Sequence, residues 1–405
     1  MNRSIPRVSD AARRYVQEVL DFGFHNCTGP GVTARLEKQF AEKFGVRYGV
    51  SHCNGTATMH ACLLAAGVGA GDEVIVPTLT MASTALVALH VNAVPVFADS
   101  DPETFTISVE DIRRKITPRT RAIIPVSIYG LSPDMDPIME LAAAYKLTVI
   151  EDNAQCFLGR YKGRLVGTLG HMASFSFQGS KHMTSGDGGM VITDDEELAT
   201  AVRKAAVLGY SLVSSKPGAS SMPEEVRCHP SFARHNGYGY NFRLPEIAAA
   251  VALGELERLD ELVAMRRESA KLIDAVVREC RWLVPQKTPE GYVHAWWTYA
   301  ARIVEDGPDW LTFRRKFVEL GGDGFYGCWQ PVHKEPFFQE LGRKVKEEPQ
   351  RYPQWAEIMP DYREVSCPVV ERIQPRLVQI KTNQFSLGEA KRQAEILGRA
   401  IEAVS

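Results

Sequence analysis

Short apolar runs alternate with helix-like stretches through the first half of the chain. Near-continuous apolar segments at Glu73–Pro77, Val94–Ala98 and Ala122–Tyr129 predict strands that are buried on both faces of a sheet. Between them, Ala82–Val91 and Ser108–Ile116 have the composition of helices, and Ser108 is suited to an N-cap. Strands and helices that alternate in this way are typical of a mainly parallel sheet covered by helices on both faces. We therefore predict an α/β fold for this part of the chain.

The pattern changes in the second half. The segment Ser211–Asn236 is polar and rich in Ser, Pro and Gly, which predicts a long loop. Pro245 then begins a helical stretch that reaches about Cys280, because proline is favoured at the first position of a helix. A helix of that length is expected to leave one domain and to enter a second one.

A smaller α+β domain is predicted to follow the long helix. A strand-like segment at His294–Val304 is followed by helical patterns near Trp310–Leu320 and Gly388–Val404, joined by irregular Pro-rich connections. We place the boundary inside the long helix, with a large domain at residues 1–255 and a small C-terminal domain at residues 256–405.

Composition narrows the class of protein. The 405 residues are 45% hydrophobic, and 47 Lys and Arg against 49 Asp and Glu leave a net charge of -2. These values argue against disorder, and they provide no global electrostatic case for binding nucleic acid or a membrane surface. No apolar run approaches 18 residues and the N-terminus has no apolar signal region, so a cytoplasmic protein without membrane spans is expected. Eight cysteines without a C-x-x-C pair, and histidines without an H-E-x-x-H motif, indicate no metal site.

Cys53–Thr58 (CNGTAT) predicts a tight turn between a strand and a helix. Glycine permits the turn, and Thr56 and Ala57 would then present free N–H groups at a helix N-terminus, which is a ready site for a phosphate. The alternative is an ordinary capped turn.

Asp152 ends the strand predicted at Leu147–Asp152. Ligands of open α/β sheets bind at the carboxyl ends of strands, so this carboxylate is placed to face a cationic group. The alternative is an aspartate that caps the next element.

Lys181 is a lone lysine between an apolar strand and the glycine-rich turn Gly186–Gly189. A lysine that is partly removed from water has a lowered pKa and becomes a nucleophile. The alternative is a surface lysine beside a turn. A fourth segment, Gly239–Glu246, is by itself only the start of a helix.

Together and in this order, the four segments resemble the DegT/DnrJ/EryC1/StrS aminotransferase family of fold-type I pyridoxal-phosphate enzymes. The resemblance covers nearly the whole chain and includes Thr28–Pro30, Gly71–Pro77 and Val96–Phe105. It implies a large domain with a mostly parallel seven-stranded sheet, a small C-terminal domain, and a homodimer with shared active sites.

The resemblance also implies a role for individual residues. Lys181 matches the Schiff-base lysine, Asp152 the partner of the pyridinium nitrogen, and Gln155 the residue at the phenolic oxygen of the cofactor. The other cofactor contacts that it implies are the phosphate turn Gly55, Thr56 and Ala57, the phosphate ligand Ser176, the ring-stacking position Met81, and Asn241, which reaches the phosphate from the other subunit. On the substrate side it implies His333 and Tyr326.

The implied reaction is transfer of an amino group from glutamate or glutamine to a keto-sugar, with a nucleotide-linked sugar preferred. Arg227 and Arg234, in the polar loop, would then meet the diphosphate.

Two departures from the family pattern bear on the substrate: Met81 stands where an aromatic residue is usual, and the segment after Lys181 (HMTSGDGG) is closer to the branch that acts on cyclitols and aminohydroxybenzoate precursors. A cyclitol or sugar-phosphate aminotransferase and an aminohydroxybenzoate-synthase-like enzyme are therefore the alternatives. A non-catalytic cofactor-binding sensor is a third class, but such proteins usually carry a basic DNA-binding module.

The tryptophan pair Trp296 and Trp297 is expected in the core of the small domain or in a pocket wall.

Overall fold

A computed structural model describes residues 4–22, 24, 31–216 and 223–405. The family segment Thr28–Pro30 and part of the predicted loop, residues 217–222, lie outside the described residues. The strands are β1 (Tyr48–His52), β2 (Glu73–Pro77), β3 (Val94–Ala98), β4 (Thr120–Ile123), β5 (Thr148–Asp152), β6 (Arg160–Tyr161), β7 (Arg164–Leu165), β8 (Met172–Ser176), β9 (Gly189–Thr193), β10 (Leu283–Pro285), β11 (Tyr292–Val293), β12 (Thr298–Ile303) and β13 (Leu377–Lys381). The helices are α1 (Asp10–Phe22), α2 (Val32–Phe44), α3 (Gly55–Ala65), α4 (Ser83–His90), α5 (Val109–Lys115), α6 (Met135–Tyr145), α7 (Glu196–Ala206), α8 (Glu224–Arg227), α9 (Glu246–Leu256), α10 (Leu259–Val277), α11 (Trp310–Glu319), α12 (Pro336–Glu347), α13 (Pro368–Ile373) and α14 (Leu387–Val404).

Seven strands form the central sheet, in the order β3-β2-β4-β5-β8-β9-β1. The pairs from β3 to β8 are parallel, and β9 runs antiparallel to both of its neighbours. Every residue of β2, β8 and β9 is buried, and for β2 this agrees with the burial predicted from its near-continuous apolar sequence. The predicted α/β fold with a mostly parallel seven-stranded sheet is confirmed.

The strand predicted over Ala122–Tyr129 is shorter than expected. β4 ends at Ile123, and the chain then passes through Pro125 into a short 3₁₀ helix at Ile128–Gly130. Proline has no N–H to donate to a neighbouring strand, so the regular ladder stops there. The carbonyl of Pro125 still accepts a hydrogen bond from the N–H of Asp152 (2.9 Å), which ties this segment to the end of β5.

The prediction of one long helix from Pro245 to about Cys280 is wrong, because the helix is interrupted at residues 257–258. Pro245 caps α9 rather than occupying its first turn. Before the interruption α9 packs on α1 and α2, whereas α10 packs on α14 and on the sheet β10-β12-β13. The guanidinium of Arg258 holds the corner by donating to the Glu255 carboxylate and to the carbonyl of Arg7. The division at residues 255 and 256 stays a prediction.

The C-terminal part combines the antiparallel sheet β10-β12-β13 with helices α10, α11 and α14, which agrees with the predicted α+β architecture. A third small sheet, β11-β6-β7, joins this part to the first half of the chain. None of the helices in the described ranges is long and apolar enough to cross a membrane.

The sheet order decides which residues meet at its carboxyl edge. β5 and β8 are hydrogen-bonded neighbours, with Asp152 opposite Ser174, so Asp152 and Ser176 come out at the same edge. β1 runs in the same direction as these strands and is followed at once by the turn into α3. Three separate segments of the sequence therefore converge on one place, as expected for open α/β sheets.

Candidate active site

A cavity of about 420 Å³ lies at this carboxyl edge. Its wall is built by the α3 turn, the ends of β5 and β8, the segment that carries Lys181, and two tryptophans from the C-terminal part. Of the catalytic and cofactor-binding residues predicted from the sequence, those that line it are Gly55, Thr56, Met81, Asp152, Gln155, Ser176 and Lys181.

The turn into α3 presents N–H groups to the cavity. Asn54 caps the helix, because its side-chain oxygen accepts a hydrogen bond from the N–H of Ala57 (2.8 Å). The prediction that this N–H is free is therefore wrong. The N–H groups of Gly55 and Thr56 lie in the first turn, where a helix offers no acceptor, and both residues line the cavity. A Cβ on Gly55 would stand 2.8 Å from the Cβ of Ser176, so only glycine lets the turn approach β8 this closely.

A second glycine allows the same close packing from the other side. A Cβ on Gly189, the first residue of β9, would lie 2.8 Å from the carbonyl oxygen of Phe175 and 2.9 Å from the backbone of Asn54. The glycine-rich turn after Lys181 therefore lets β9 pass directly against β8 and the α3 turn.

Asp152 is a buried carboxylate at the floor of the cavity. One oxygen accepts from the hydroxyl of Thr84 (2.9 Å) and the other from the N–H of Ala154 (3.1 Å). Burial raises the pKa of Asp152, while these two hydrogen bonds and the nearby charge of Lys181 oppose the rise. A carboxylate whose burial is only partly compensated is stabilised by a further cation, and the cavity leaves room for one.

Thr84 was not found by sequence reasoning. It belongs to α4, whose sequence has only the signal of a buried helix, and its hydroxyl also contacts the hydroxyl of Thr80 (3.1 Å). The Asp152 contact depends on how α4 packs across the sheet edge, which no local pattern indicates.

Gln155 follows Asp152 by three residues and is buried at the cavity wall. Its side-chain oxygen accepts the N–H of Tyr129 (2.6 Å), so the amide NH₂ is the end that remains for donating. Tyr129 has a φ of 61°, an uncommon backbone conformation for a residue other than glycine, and this directs its N–H to Gln155.

Lys181 is half-buried, and its amino group lies 4.8 Å from the centre of the Trp297 ring. Burial lowers the pKa of Lys181 to about 8; the charge of Asp152 opposes this shift, and the charge of Arg266 adds to it. The amine is therefore much closer to its nucleophilic neutral form at neutral pH than an exposed lysine would be.

Two indole rings form the wall opposite the strand ends. The rings of Trp297 and Trp329 stack at 6.1 Å with an angle of 16°, and Met81, which is half exposed, lines the same cavity. The indole N–H of Trp297 donates to the carbonyl of Ser180 (2.9 Å). For the tryptophan pair, the sequence allowed either a position in the core or one in a pocket wall. Trp297 lines the wall of the cavity, whereas the Trp296 ring stacks on the His294 ring at 3.7 Å. Nothing in the sequence indicated Trp329.

Other predicted residues lie outside this lining. His333 is fully buried, and its ring nitrogens contact the Thr78 hydroxyl (2.6 Å) and the Glu371 carboxylate (3.1 Å). Tyr326 is exposed, with the amino group of Lys381 5.8 Å from its ring centre. The substrate contacts predicted for His333 and Tyr326 stay predictions.

The predicted cross-subunit and loop residues are exposed on this chain. Asn241 precedes Phe242, whose carbonyl accepts the N–H of Cys53 (2.7 Å), so Asn241 stands at the surface beside the α3 turn. Arg227 ends the four-residue helix α8, and Arg234 lies further along the same loop. Neither arginine is part of the cavity wall, and their predicted role stays open.

This arrangement combines an amine, a buried carboxylate, an amide donor and an N-terminal anion site around one cavity. Such a set suits a flat ligand that has a phosphate at one end, a cationic ring nitrogen over Asp152 and a carbonyl carbon within reach of Lys181. Within the described ranges, no group of three or more His, Cys, Asp or Glu side chains is arranged to hold a metal ion.

Comparison with known proteins identifies the group to which this fold and site belong. The family model for the DegT/DnrJ/EryC1/StrS aminotransferase family matches residues 6–379. The chain is 36% identical over 343 residues to GDP-perosamine synthase of Escherichia coli O157:H7, covering 84% of this chain and 87% of that one. It is 40% identical over 306 residues to L-glutamine:2-deoxy-scyllo-inosose aminotransferase of Streptomyces lividus, covering 74% of this chain and 70% of the relative.

A solved structure agrees over the full length. The structure of S. venezuelae DesV, determined in complex with a ketimine intermediate, superimposes with a TM-score of 0.80 at 26% identity, and the match covers 100% of both chains. The sequence resemblance is confirmed: the chain belongs to the DegT/DnrJ/EryC1/StrS aminotransferase family and is an aminotransferase.

Proposed function

We propose that the cavity binds pyridoxal phosphate and that the protein uses it to aminate a ring ketone. The observation that carries the proposal is the placement of the Asp152 carboxylate, the Lys181 amine and the N-terminal turn of α3 on the wall of one cavity. When bound, pyridoxal phosphate supplies an electron sink. Its phosphate would be held by the N–H groups of Gly55 and Thr56 and by the hydroxyl of Ser176.

Asp152 would hold the proton on the ring nitrogen. The energetic reason is the burial that raises the pKa of Asp152, because a buried carboxylate gains most from a cationic donor placed against it. The hydroxyl of Thr84 and the N–H of Ala154 fix the carboxylate, so its free lone pairs keep one direction. Gln155, with its oxygen fixed by Tyr129, would donate its amide N–H to the phenolic oxygen.

Lys181 would hold the cofactor and carry protons. A pKa of about 8 lets its amino nitrogen accept a proton and return it near neutral pH, which is the property required of a general base and acid. The indole of Trp297 beneath the amine would shield it from bulk water and limit the volume that it samples.

We take a nucleotide-linked keto-sugar as the first candidate substrate. A relative named GDP-perosamine synthase, similar over most of both chains, supports it. Arg227 and Arg234 are exposed, and they lie in a loop that leads to Asn241. A diphosphate would be met there by charge-assisted hydrogen bonds.

A free cyclitol is the second candidate, and the cavity wall favours it. Its substrate side carries Trp297, Trp329 and Asp187, and among the described lining residues Lys181 is the only basic side chain. Aromatic faces pack against the C–H faces of a six-membered ring, and a carboxylate accepts hydroxyl donors, so this wall suits an uncharged polyol. The 40% identical relative is named for L-glutamine and 2-deoxy-scyllo-inosose, which also makes glutamine the preferred amino donor.

The proposed active unit is a cytoplasmic homodimer with shared sites. Asn241 is exposed on one chain yet stands beside the α3 turn, so a second subunit packed there could exchange this residue between sites. This supports the role implied by the family resemblance and is tested below by hybrid dimers.

A substrate panel tests the function. The purified protein, supplied with pyridoxal phosphate and L-glutamine, is assayed with nucleotide-linked keto-sugars, keto-sugar phosphates and scyllo-inosose. If the first candidate is right, Arg227→Ala/Arg234→Ala raises KM for the nucleotide-linked substrate and leaves the half-reaction with the amino donor unchanged. Arg399→Ala, an exposed arginine of α14, is the matched control. Turnover of scyllo-inosose alone would select the second candidate, and turnover of no ketone in the panel would contradict both.

A further inference from the structure

One buried arginine lies directly behind the segment that carries Lys181. Arg266 is on the inner face of α10, at helical spacing from the buried Leu262 and Ile273, where an apolar residue would be expected. Only 6% of Arg266 is exposed. Burying a guanidinium at such a position is costly unless its donors are used, so the contacts that it makes are informative.

Every contact of the guanidinium is to an uncharged oxygen. One terminal nitrogen donates to the carbonyls of Lys181 (2.7 Å) and Ser180 (2.8 Å), and the other donates to the carbonyl of Trp297 (2.6 Å) and lies 3.5 Å from the Thr382 hydroxyl. No carboxylate of the described residues forms an ion pair with it. The positive charge is therefore not cancelled locally.

These contacts join the catalytic segment to the aromatic wall. Ser180 offers its carbonyl to both Arg266 and the indole N–H of Trp297, and the Thr382 hydroxyl lies 2.7 Å from the carbonyl of Trp296 and 3.0 Å from that of Trp297. The planar guanidinium of Arg266 thus holds both Lys181 and Trp297, on whose ring the amine rests. A lysine at this position could not reproduce this forked geometry.

We propose that Arg266 is a positioning residue that fixes the backbone of Ser180 and Lys181 against Trp297 and so decides where the Lys181 amine stands. Its uncancelled charge has a second effect, because a neighbouring cation disfavours the charged form of the amine. Asp152 is the carboxylate that acts on Lys181 across the cavity, and Arg266 opposes it from α10; Asp187 also lines the cavity. The catalytic meaning of this inference rests on the proposed role of Lys181, but the effect on the amine itself does not.

The test measures the amine without cofactor. Competitive labelling of the cofactor-free protein with trace acetic anhydride between pH 6 and 10, read by mass spectrometry at Lys181, gives its apparent pKa. Arg266→Met removes the charge and the fork, and the apparent pKa is expected to rise by roughly half a pH unit or more. Arg266→Lys keeps the charge and should leave the pKa close to that of the unmodified protein. The matched control is Arg267→Met, whose guanidinium bonds the carbonyls of Leu158 and His294 instead.

A second measurement separates position from charge. With pyridoxal phosphate added, both Arg266 variants should lower kcat by about 10-fold or more, because the Lys181 amine is displaced. KM for the amino donor should change little, because the binding site of the donor is not altered. Arg267→Met should leave kcat within about 2-fold.

An unchanged Lys181 pKa in Arg266→Met would overturn the electrostatic part of the inference. Normal kcat in Arg266→Lys would overturn the positioning part, and this variant decides that question even if Arg266→Met fails to fold. If the labelling shift appears but the protein shows no transamination, the proposed function fails while the effect of Arg266 on Lys181 stands.

Discussion

Replacing Asp152 with asparagine should separate the chemistry of the site from its stability. The two side chains have nearly the same shape, so the asparagine oxygen can keep the N–H of Ala154, and its NH₂ can donate to the Thr84 hydroxyl, which now accepts. What is lost is the negative charge at the floor of the cavity.

The magnitude follows from what that charge does. Removing one preorganised electrostatic contact to the reacting group typically costs about 10²- to 10³-fold in kcat, or roughly 3–4 kcal/mol. We expect a loss of this size, since an amide cannot hold a proton on the ring nitrogen as a carboxylate does. Stability should move the other way. Burial raises the pKa of Asp152, so its ionised form is disfavoured in the fold at pH 7, and a neutral asparagine removes that cost from the cofactor-free protein.

The assay pairs kcat with urea unfolding of the cofactor-free protein, and Glu151→Gln provides the matched control. Glu151 is the neighbouring buried acid on β5, and its two oxygens accept the N–H groups of Gly167 (2.8 Å), Leu169 (2.7 Å) and Gly170 (2.7 Å). An amide NH₂ would face one of these donors, so Glu151→Gln should lose about 1–3 kcal/mol of unfolding free energy while pyridoxal phosphate still binds at Lys181.

Two results would refute this reasoning. Near-normal kcat in Asp152→Asn with bound cofactor would mean that the carboxylate has no part in the chemistry. A large loss of unfolding free energy in the cofactor-free variant would mean that Asp152 is a structural acid like Glu151.

Two further predictions concern the assembly and the response to acid. Inactive Lys181→Ala subunits mixed with inactive Asn241→Ala subunits should regain about a quarter of the activity by random pairing in a two-site dimer; no regain under conditions of proven subunit exchange would exclude a shared site. Burial lowers the pKa values of His52 and His60 to about 4 and that of His294 to about 3, so the unfolded chain binds more protons than the fold between those values and about 6.5. The histidine contribution to stability is therefore complete above pH 6.5 and is lost as the pH falls towards 4, and urea midpoints that stay level across this window would contradict it.

Much of the fold followed from the sequence because its signals are local. The apolar runs at β2 and β3 predicted buried strands, and Ser108 caps α5 with its hydroxyl as expected. Asp152 and Lys181 could be chosen because Asp152 ends a strand and Lys181 follows one, and a parallel sheet brings the ends of both strands to one edge.

The rest depended on contacts between distant segments. Nothing near Thr84 or Trp329 indicates the site. Thr84 reaches Asp152 only after α4 has packed, and Trp329 lines the cavity only after the C-terminal part has packed. Arg266 resembles an exposed helical arginine in the sequence, and its burial behind Lys181 appears only in three dimensions. The helix break at residues 257–258 was not predicted for a similar reason. Residues with high helix propensity continue through it, and tertiary packing turns the chain there.

The central claim is that the amine of Lys181 is the group that holds the cofactor. The purified protein is loaded with pyridoxal phosphate, reduced with borohydride, digested and analysed by mass spectrometry, alongside Lys181→Ala treated in the same way. The account predicts one reduced pyridoxyl group per chain, on Lys181, and none in the variant. A stoichiometric adduct on another lysine, such as Lys381, or an equal yield in Lys181→Ala, would contradict it.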